Sequence, residues 1–366
     1  MDTNMQNTPK ITKESKNKIR VEFDRTPLKE RLKAKFLNLY FFQKLAWMIF
    51  RLVLLVGISY VVLFPFISKI AGSFMSPEDF VDVTVRLIPK NFTLDIYSAV
   101  LFELDYWEAF TNTLLISLIS ALLQTFICCL IGYGLAKFRF KGNSLVMMLV
   151  ILTMIVPHQT LQLSMFMGFR YFDILGILSF LSGGASVGFL PDSINELLAG
   201  INIINLPDHG LALTNTYWPL VILSATGLAF KNGLYIFMLR QFFTGVPDAL
   251  EESAYIDGSG VFRTFFTIIL PLSIPMMVTV FLFAFCWQWT DDFYTELFFT
   301  TSKITLVPDI VEIPTSLKTD YAGQNMYYTA IRNTCGICII LPLVVLYCFG
   351  QNFLVQGIER SGLTAE

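Results

Sequence analysis

Charge is the scarcest commodity in this chain of 366 residues: only 15% are Asp, Glu, Lys or Arg, while 54% are hydrophobic. A soluble domain carries roughly a quarter charged residues. This deficit, with a mean hydropathy of +0.61, points to lipid as the solvent. The chain contains no Gly-Lys dipeptide, so it has no phosphate-binding loop of the G-x4-G-K-[ST] kind and by that route is not an ATPase. The two histidines, His158 and His209, are far apart and belong to no H-E-x-x-H motif. All six cysteines fall in apolar stretches; Cys335 and Cys338 have redox or metal spacing, but no second pair accompanies them, and small polarisable residues of a membrane helix are the plainer reading. Ionisable residues are almost absent from the apolar interiors, which argues against a proton relay. The first apolar run starts too late for a cleavable secretory signal.

What is abundant is length without charge. A membrane helix needs about 20 largely apolar residues. Six stretches qualify, near 46–72, 110–136, 143–168, 214–239, 272–290 and 333–355, giving an all-α membrane protein of six transmembrane helices. The basic segment 1–45 marks the cytoplasmic side, as do Lys137, Arg139 and Lys141 after the second span and Arg240 at the end of the fourth. The acidic segment after the first span reads as external. Both termini, the tail 359–366 and the loop 241–271 then face the cytoplasm, and 46–358 forms the six-span domain. The stretch 174–191 is nearly long enough to cross. It is broken by Ser182-Gly183-Gly184, and as a true span it would turn the 241–271 loop outward. We read 172–212 as an external excursion, with Ile194, Leu197, Leu198 and Ile201 at the spacing of a short amphipathic helix.

The loop 241–271 holds the most specific pattern: Glu252-Ser253-Ala254, three residues, Gly258, nine residues, then Ile268-Ile269-Leu270-Pro271. It resembles the loop by which the permease subunits of bacterial ATP-binding-cassette importers grip their ATPase (E-A-A, x3, G, x9, I-x-L-P), with Ser253 replacing the first alanine. From about residue 50 onward the chain is similar to the carbohydrate branch of that family, the maltose and multiple-sugar type. The passages that carry this are Leu63-Phe64-Pro65-Phe66, Pro89-Lys90-Asn91-Phe92-Thr93, Asn112-Thr113-Leu114, Gly134-Leu135-Ala136-Lys137-Phe138-Arg139-Phe140, Ile155-Val156-Pro157, Leu239-Arg240-Gln241-Phe242-Phe243 and the tail Gln351–Ile358. The excursion and the basic N-terminal segment are longer than the family pattern.

The loop also has its own physical logic. Pro247 followed by Asp248, Glu251 and Glu252 suits the first turn of a helix, where free N–H groups and the dipole favour negative charge. Gly258 and Gly260 break that helix, and Pro271 and Pro275 restart the chain as the fifth span. A short rigid helix of this sort can sit in a cleft of an ATPase and transmit its motion; the bland alternative is a solvated loop. The expected coupling residues are Glu251, Glu252, Ser253, Ala254, Asp257, Gly258, Leu270 and Pro271.

For the transport pathway the candidates are Lys231 and Asn232, which interrupt the fourth span, and Trp287, Trp289, Asp291 and Asp292 at the end of the fifth. Aromatic rings pack on the C–H faces of sugars, and carboxylates take their hydroxyls. An interfacial aromatic belt or a protein contact would use the same residue types. Lys231 would face a cavity, pair with another helix, or snorkel. The resemblance implies a non-catalytic subunit forming half of the pathway for a sugar in the bacterial cell membrane. Its implied partners are a second homologous permease, two ATPase subunits that bind ATP and Mg, and an extracellular sugar-binding protein; no cofactor is expected on this chain. An importer of like architecture for a non-sugar solute, and a stand-alone channel or ion-coupled carrier, are the alternatives.

Overall fold

The computed structural model describes residues 11–13, 19–21, 39–173, 211–300, 304–321 and 323–362. These fall into two units, Met1–Ser68 and Lys69–Glu366. The first unit holds most of helix α1 (Leu39–Gly72) and a ribbon that the sequence reading does not anticipate. Strands β1 (Ile11–Lys13) and β2 (Ile19–Val21) pair antiparallel with Ile11 opposite Val21. Ile11 and Thr12 in β1 and Ile19 and Val21 in β2 are residue types that suit extended backbone. Apart from this ribbon the described secondary structure is helical.

The second unit contains α2 (Asp95–Phe102), α3 (Tyr106–Lys137), α4 (Asn143–Ile155), α5 (Gln162–Arg170), α6 (Trp218–Thr226), α7 (Asn232–Thr244), α8 (Ala249–Ile256), α9 (Val261–Trp289), α10 (Phe293–Phe298) and α11 (Gln324–Gly362). Helix α3 is the hub, packed against α6, α7 and α9, and α9 packs in turn on α11. Their shared core includes Cys128 and Cys129 from α3, Tyr235, Leu239 and Phe243 from α7, and Met276, Val280 and Trp289 from α9. Gly132 sets the α3–α7 spacing: a Cβ there would stand 2.9 Å from the Leu239 Cβ and 3.0 Å from the Arg240 nitrogen.

Among the described residues, four helices are long and apolar enough to cross a membrane alone: Phe42–Gly72, Tyr106–Lys137, Val261–Trp289 and Gln324–Gly357. They cover the expected first, second, fifth and sixth spans. The expected third span is bent by 96° between α4 and the segment His158–Arg170. Pro157 explains the break, because it lacks an N–H and drives Val156 out of the helical region, to φ −68°, ψ 120°. The expected fourth span is divided into α6 and α7 by Gly227 at φ +76° and Lys231 at φ +68°. The expected restart at Pro271 also moves, since α9 begins at Val261. A π-helical stretch, Phe265–Ile269, precedes Pro271 and widens the turn where its ring would meet a carbonyl.

The excursion 172–212 lies almost wholly outside the described residues, its amphipathic stripe included. Its two ends are described. Phe172 and Leu211 exchange backbone hydrogen bonds of 3.0 Å each, and Leu213 N–H donates to the Phe169 carbonyl. Near the same chain region as α2, Glu103 accepts hydrogen bonds from the backbone and hydroxyl groups of Thr315 and Ser316. These donors hold its carboxyl down to about 2.

Candidate functional site: a short surface helix and a cavity between broken helices

The first site is built on α8. Asp248 precedes it and Glu251 and Glu252 lie in its first turn, as helix-start chemistry favours. Glu251 and Ala254, three residues apart, turn inward and are buried, while Glu252, Ser253 and Asp257 are exposed. Glu251 lies beside Tyr133 and Tyr255. Neither the Tyr133 hydroxyl nor Glu251 Oε1 has a hydrogen-bond partner among the described residues. After the helix, Gly258 adopts φ +80°, the left-handed conformation that a residue without Cβ takes at little cost, and a Cβ there would meet open space. Leu270 is half-buried and Pro271 exposed, well along α9.

Around this turn the surface is apolar: Ile256 is 85% and Phe262 80% exposed, with Leu250, Tyr255 and Val261 also accessible. The helix is tied to the hub by a residue absent from the sequence-level coupling set. Lys137, at the last turn of α3, donates to the Val246 carbonyl at 2.6 Å and to Asp248 Oδ1 at 2.5 Å. Its side chain is buried, whereas that of Asp248 is exposed. The carboxyl of Asp248 is held below its ordinary value by the Lys137 hydrogen bond and charge.

The second site forms where both broken spans are interrupted. A cavity of about 150 Å³ is lined by Thr153, Met154 and His158 from one break and by residues 227–231, Gly233 and Leu234 of the other. Lys231 places its ammonium 4.4 Å from the centroid of the Phe230 ring and 4.7 Å from that of Trp287. His158 meets Phe230 edge-on at 4.5 Å, and Phe230 meets Trp287 at 5.6 Å. A smaller crevice that shares Phe230 takes in Gln124, Trp287, Gln288, Asp291 and Tyr294.

The six pathway candidates therefore separate. Lys231, Trp287 and Asp291 come together around Phe230. Trp289 instead is fully buried, donates Nε1–H to the Ile339 carbonyl at 2.9 Å and stacks on Phe285, which makes it a packing residue. Asn232 is buried at the start of α7, and neither polar atom of its side chain has a partner among the described residues. Asp292 is exposed. Asp291 accepts the Tyr294 N–H at 3.1 Å and caps α10, and burial pushes its carboxyl up to about 7. His158 and Phe230 are not legible as site residues in the sequence, because nothing in the linear pattern brings the two breaks together.

The model of the family described as "Binding-protein-dependent transport system inner membrane component" matches residues 129–360, more than half of the chain and, Gln124 apart, all of both sites. The chain belongs to that family. As a permease of this kind it is 24% identical to the inner membrane ABC transporter permease protein YcjP of Escherichia coli, over 83% of this chain and 91% of that one. It is 26% identical to the polygalacturonan/rhamnogalacturonan transport system permease protein YtcP of Bacillus subtilis, over 80% of this chain and 89% of that one. The fold of the permease also matches a chain from a crystal structure of a bacterial ABC transporter involved in the import of the acidic polysaccharide alginate. The TM-score is 0.59 at 18% identity, covering 85% of this chain and 97% of that one.

Proposed function

We propose that this permease is one membrane-spanning subunit of an ATP-driven saccharide importer of the bacterial cell membrane. In this reading it crosses six times, the broken pairs α4–α5 and α6–α7 counting as the third and fourth spans. Both termini, the segment 1–45, the tail 359–366 and the 241–271 loop lie in the cytoplasm. A second homologous permease supplies the other half of the pathway, two ATPase subunits hold ATP and Mg, and an extracellular binding protein delivers the cargo. This chain performs no hydrolysis. The saccharide class is supported by relatives such as YtcP, whose name assigns it polygalacturonan and rhamnogalacturonan transport.

The observation that carries this reading is α8 itself, an eight-residue helix with an acidic first turn, an inward Glu251–Ala254 face and an exposed apolar rim at Ile256 and Phe262. Such a helix is a plug for a cleft on a partner. As ATP closes the ATPase pair, α8 moves as a rigid piece, and Lys137 passes that motion to α3 through Val246 and Asp248. Glu252, Ser253, Asp257 and Gly258 form the contact surface, Glu251 and Ala254 seat the helix, and Leu270 and Pro271 lie on α9 where the motion continues.

The test uses the chain coexpressed with a partner permease, the ATPase and the binding protein in proteoliposomes. Gly258→Phe and Glu252→Lys are expected to leave membrane levels similar while abolishing ATP-dependent uptake. Normal uptake by both variants would remove α8 as the ATPase contact. Uptake by the purified chain alone, without ATP, would favour a channel or ion-coupled carrier.

A further inference from the structure

A lysine inside a span is costly to keep unless something anionic meets it. Among the described residues Lys231 has no carboxylate at salt-bridge distance; the described ion pairs are Lys90–Asp82 and Lys137–Asp248. Its ammonium instead lies over the rings of Phe230 and Trp287, which meet edge-on beside it. Such rings stabilise a cation without neutralising it, so its field still reaches the adjoining cavity. That cavity has a second positive contribution. Helix α7 has 13 residues and begins at Asn232. Gly233 and Leu234 of its first turn line the cavity, and among the described residues their N–H groups have no hydrogen-bond partner. The positive end of a helix and a lysine therefore face the same space. Irregular backbone at membrane depth is tolerated where it lines such a space, and both breaks do.

We infer that the cargo is an acidic saccharide, and that Lys231 with the first turn of α7 is the subsite that receives its carboxylate. This rests on the reading of the chain as a saccharide permease. Trp287, 48% exposed, offers the ring face on which the sugar's C–H groups pack beside that carboxylate. A neutral sugar gives no reason for an unneutralised cation here, since its hydroxyls are served equally by amides and carboxylates. The carboxylate that lines the adjoining crevice is Asp291. It is engaged by the Tyr294 N–H, and with its carboxyl at about 7 it is only partly ionised at neutral pH.

The deciding experiment measures uptake by the complete transporter in proteoliposomes at saturating binding protein. The cargoes are dimers of galacturonate, mannuronate and glucuronate, the methyl esters of each, the matching neutral dimers and a hexose phosphate. At least one uronate dimer is expected to be carried, with its methyl ester and neutral counterpart at least ten-fold slower. Lys231→Gln is expected to slow that uronate at least ten-fold, and Lys231→Arg to restore most of the rate. A neutral dimer carried at all should be carried no worse by Lys231→Gln, which a purely structural lysine would not permit. Should Lys231→Gln fail to assemble with its partners, quenching of Trp287 fluorescence in the native complex by the uronate and not by its ester provides the same decision; Trp287→Phe identifies the signal. Equal transport of acid and neutral dimers, equal quenching by both, or an unaffected Lys231→Gln would overturn the subsite while leaving the saccharide permease intact. Transport of the hexose phosphate alone would overturn the carboxylate. Transport of no saccharide at all would remove the underlying reading, and this inference with it.

Discussion

Lys137 and Lys231 are both lysines taken away from water, and their partners set them apart. Lys137 is satisfied by a carbonyl and a carboxylate, which makes it a tie between α3 and the segment leading into α8. The two bonds are unequal in worth, because Asp248 is exposed and its charge is screened, whereas the Val246 carbonyl is part-buried. Asp248→Ala should therefore change stability little. Lys137→Met should cost about 1–3 kcal/mol, by leaving a buried carbonyl without a donor. Thermal unfolding of the detergent-solubilised complex checks the order; a larger loss for Asp248→Ala would mean that the ion pair, not the carbonyl bond, holds α8. Asp291 gives the residue scale a pH signature. Its carboxyl titrates near 7 when folded and near the ordinary 3.8 when unfolded, because burial disfavours its charge. Above about 3.8 the unfolded chain releases this proton and the folded one keeps it, so stability falls as pH rises through about 7 and then levels off. Asp291→Asn retains an acceptor for the Tyr294 N–H and should flatten that decline and raise the melting temperature at pH 8. Unchanged pH profiles between 4 and 8 would show that Asp291 is ionised in the folded protein.

At the scale of elements, hydropathy reads α1, α3, α9 and α11 without help, because each is one uninterrupted apolar helix. It fails at the third and fourth spans, where apolar composition continues through backbone that is not helical. The Lys231-Asn232 pair is visible as an irregularity and Pro157 stands inside a span that reads as unbroken, but composition does not reveal a 96° bend or a left-handed lysine. The two tryptophans near the end of α9 show the same limit. Residues two apart on a helix point to nearly opposite sides, so one of Trp287 and Trp289 had to face the core. Only the packing of Phe110, Phe285 and the Ile339 carbonyl around Trp289 says which. The helix start and break in the 241–271 loop are legible for a different reason: their requirements are local, an acidic first turn, which α8 has, and a glycine at positive φ, which Gly258 supplies just after it. The count of six crossings has a direct test in a background lacking the six native cysteines. Val83→Cys and Phe102→Cys, both exposed, should react with an impermeant thiol reagent from outside; Phe140→Cys and Ile256→Cys should not. External labelling of position 256 would change the number of crossings between α3 and α8 from even to odd and make the 174–191 stretch a true span.

At the scale of the whole molecule, the excursion is attached in a way that makes it separable. Phe172 and Leu211 form a hydrogen-bonded antiparallel pair, and such a pair holds its Cα atoms about 5.5 Å apart. Just inside this neck, Leu213 N–H bonds to Phe169 and Asn215 N–H to Phe298, so the chain is fixed to the helical unit on the side away from the excursion. Phe169 and Phe298 are buried together with Leu220 and Leu223 in one cluster. Closing a gap of that size takes only a three-residue hairpin loop, here Asp173-Asn-Gly with glycine where positive φ is needed, so the loop-closure cost of a short connection is small. Replacing 174–210 by Asn-Gly should therefore leave the melting temperature of the purified complex within a few degrees of the native value. With the fold preserved, the same variant separates two roles for the excursion. If it docks the external binding protein, stimulation of ATPase activity by that protein should be lost while basal activity remains. If it packs on the second permease, the complex should dissociate on size-exclusion chromatography. A variant with native stability, stimulation and uptake would show that neither contact runs through 174–210, whereas a complex that no longer folds would show that the neck at Phe172 and Leu211 does not close on its own.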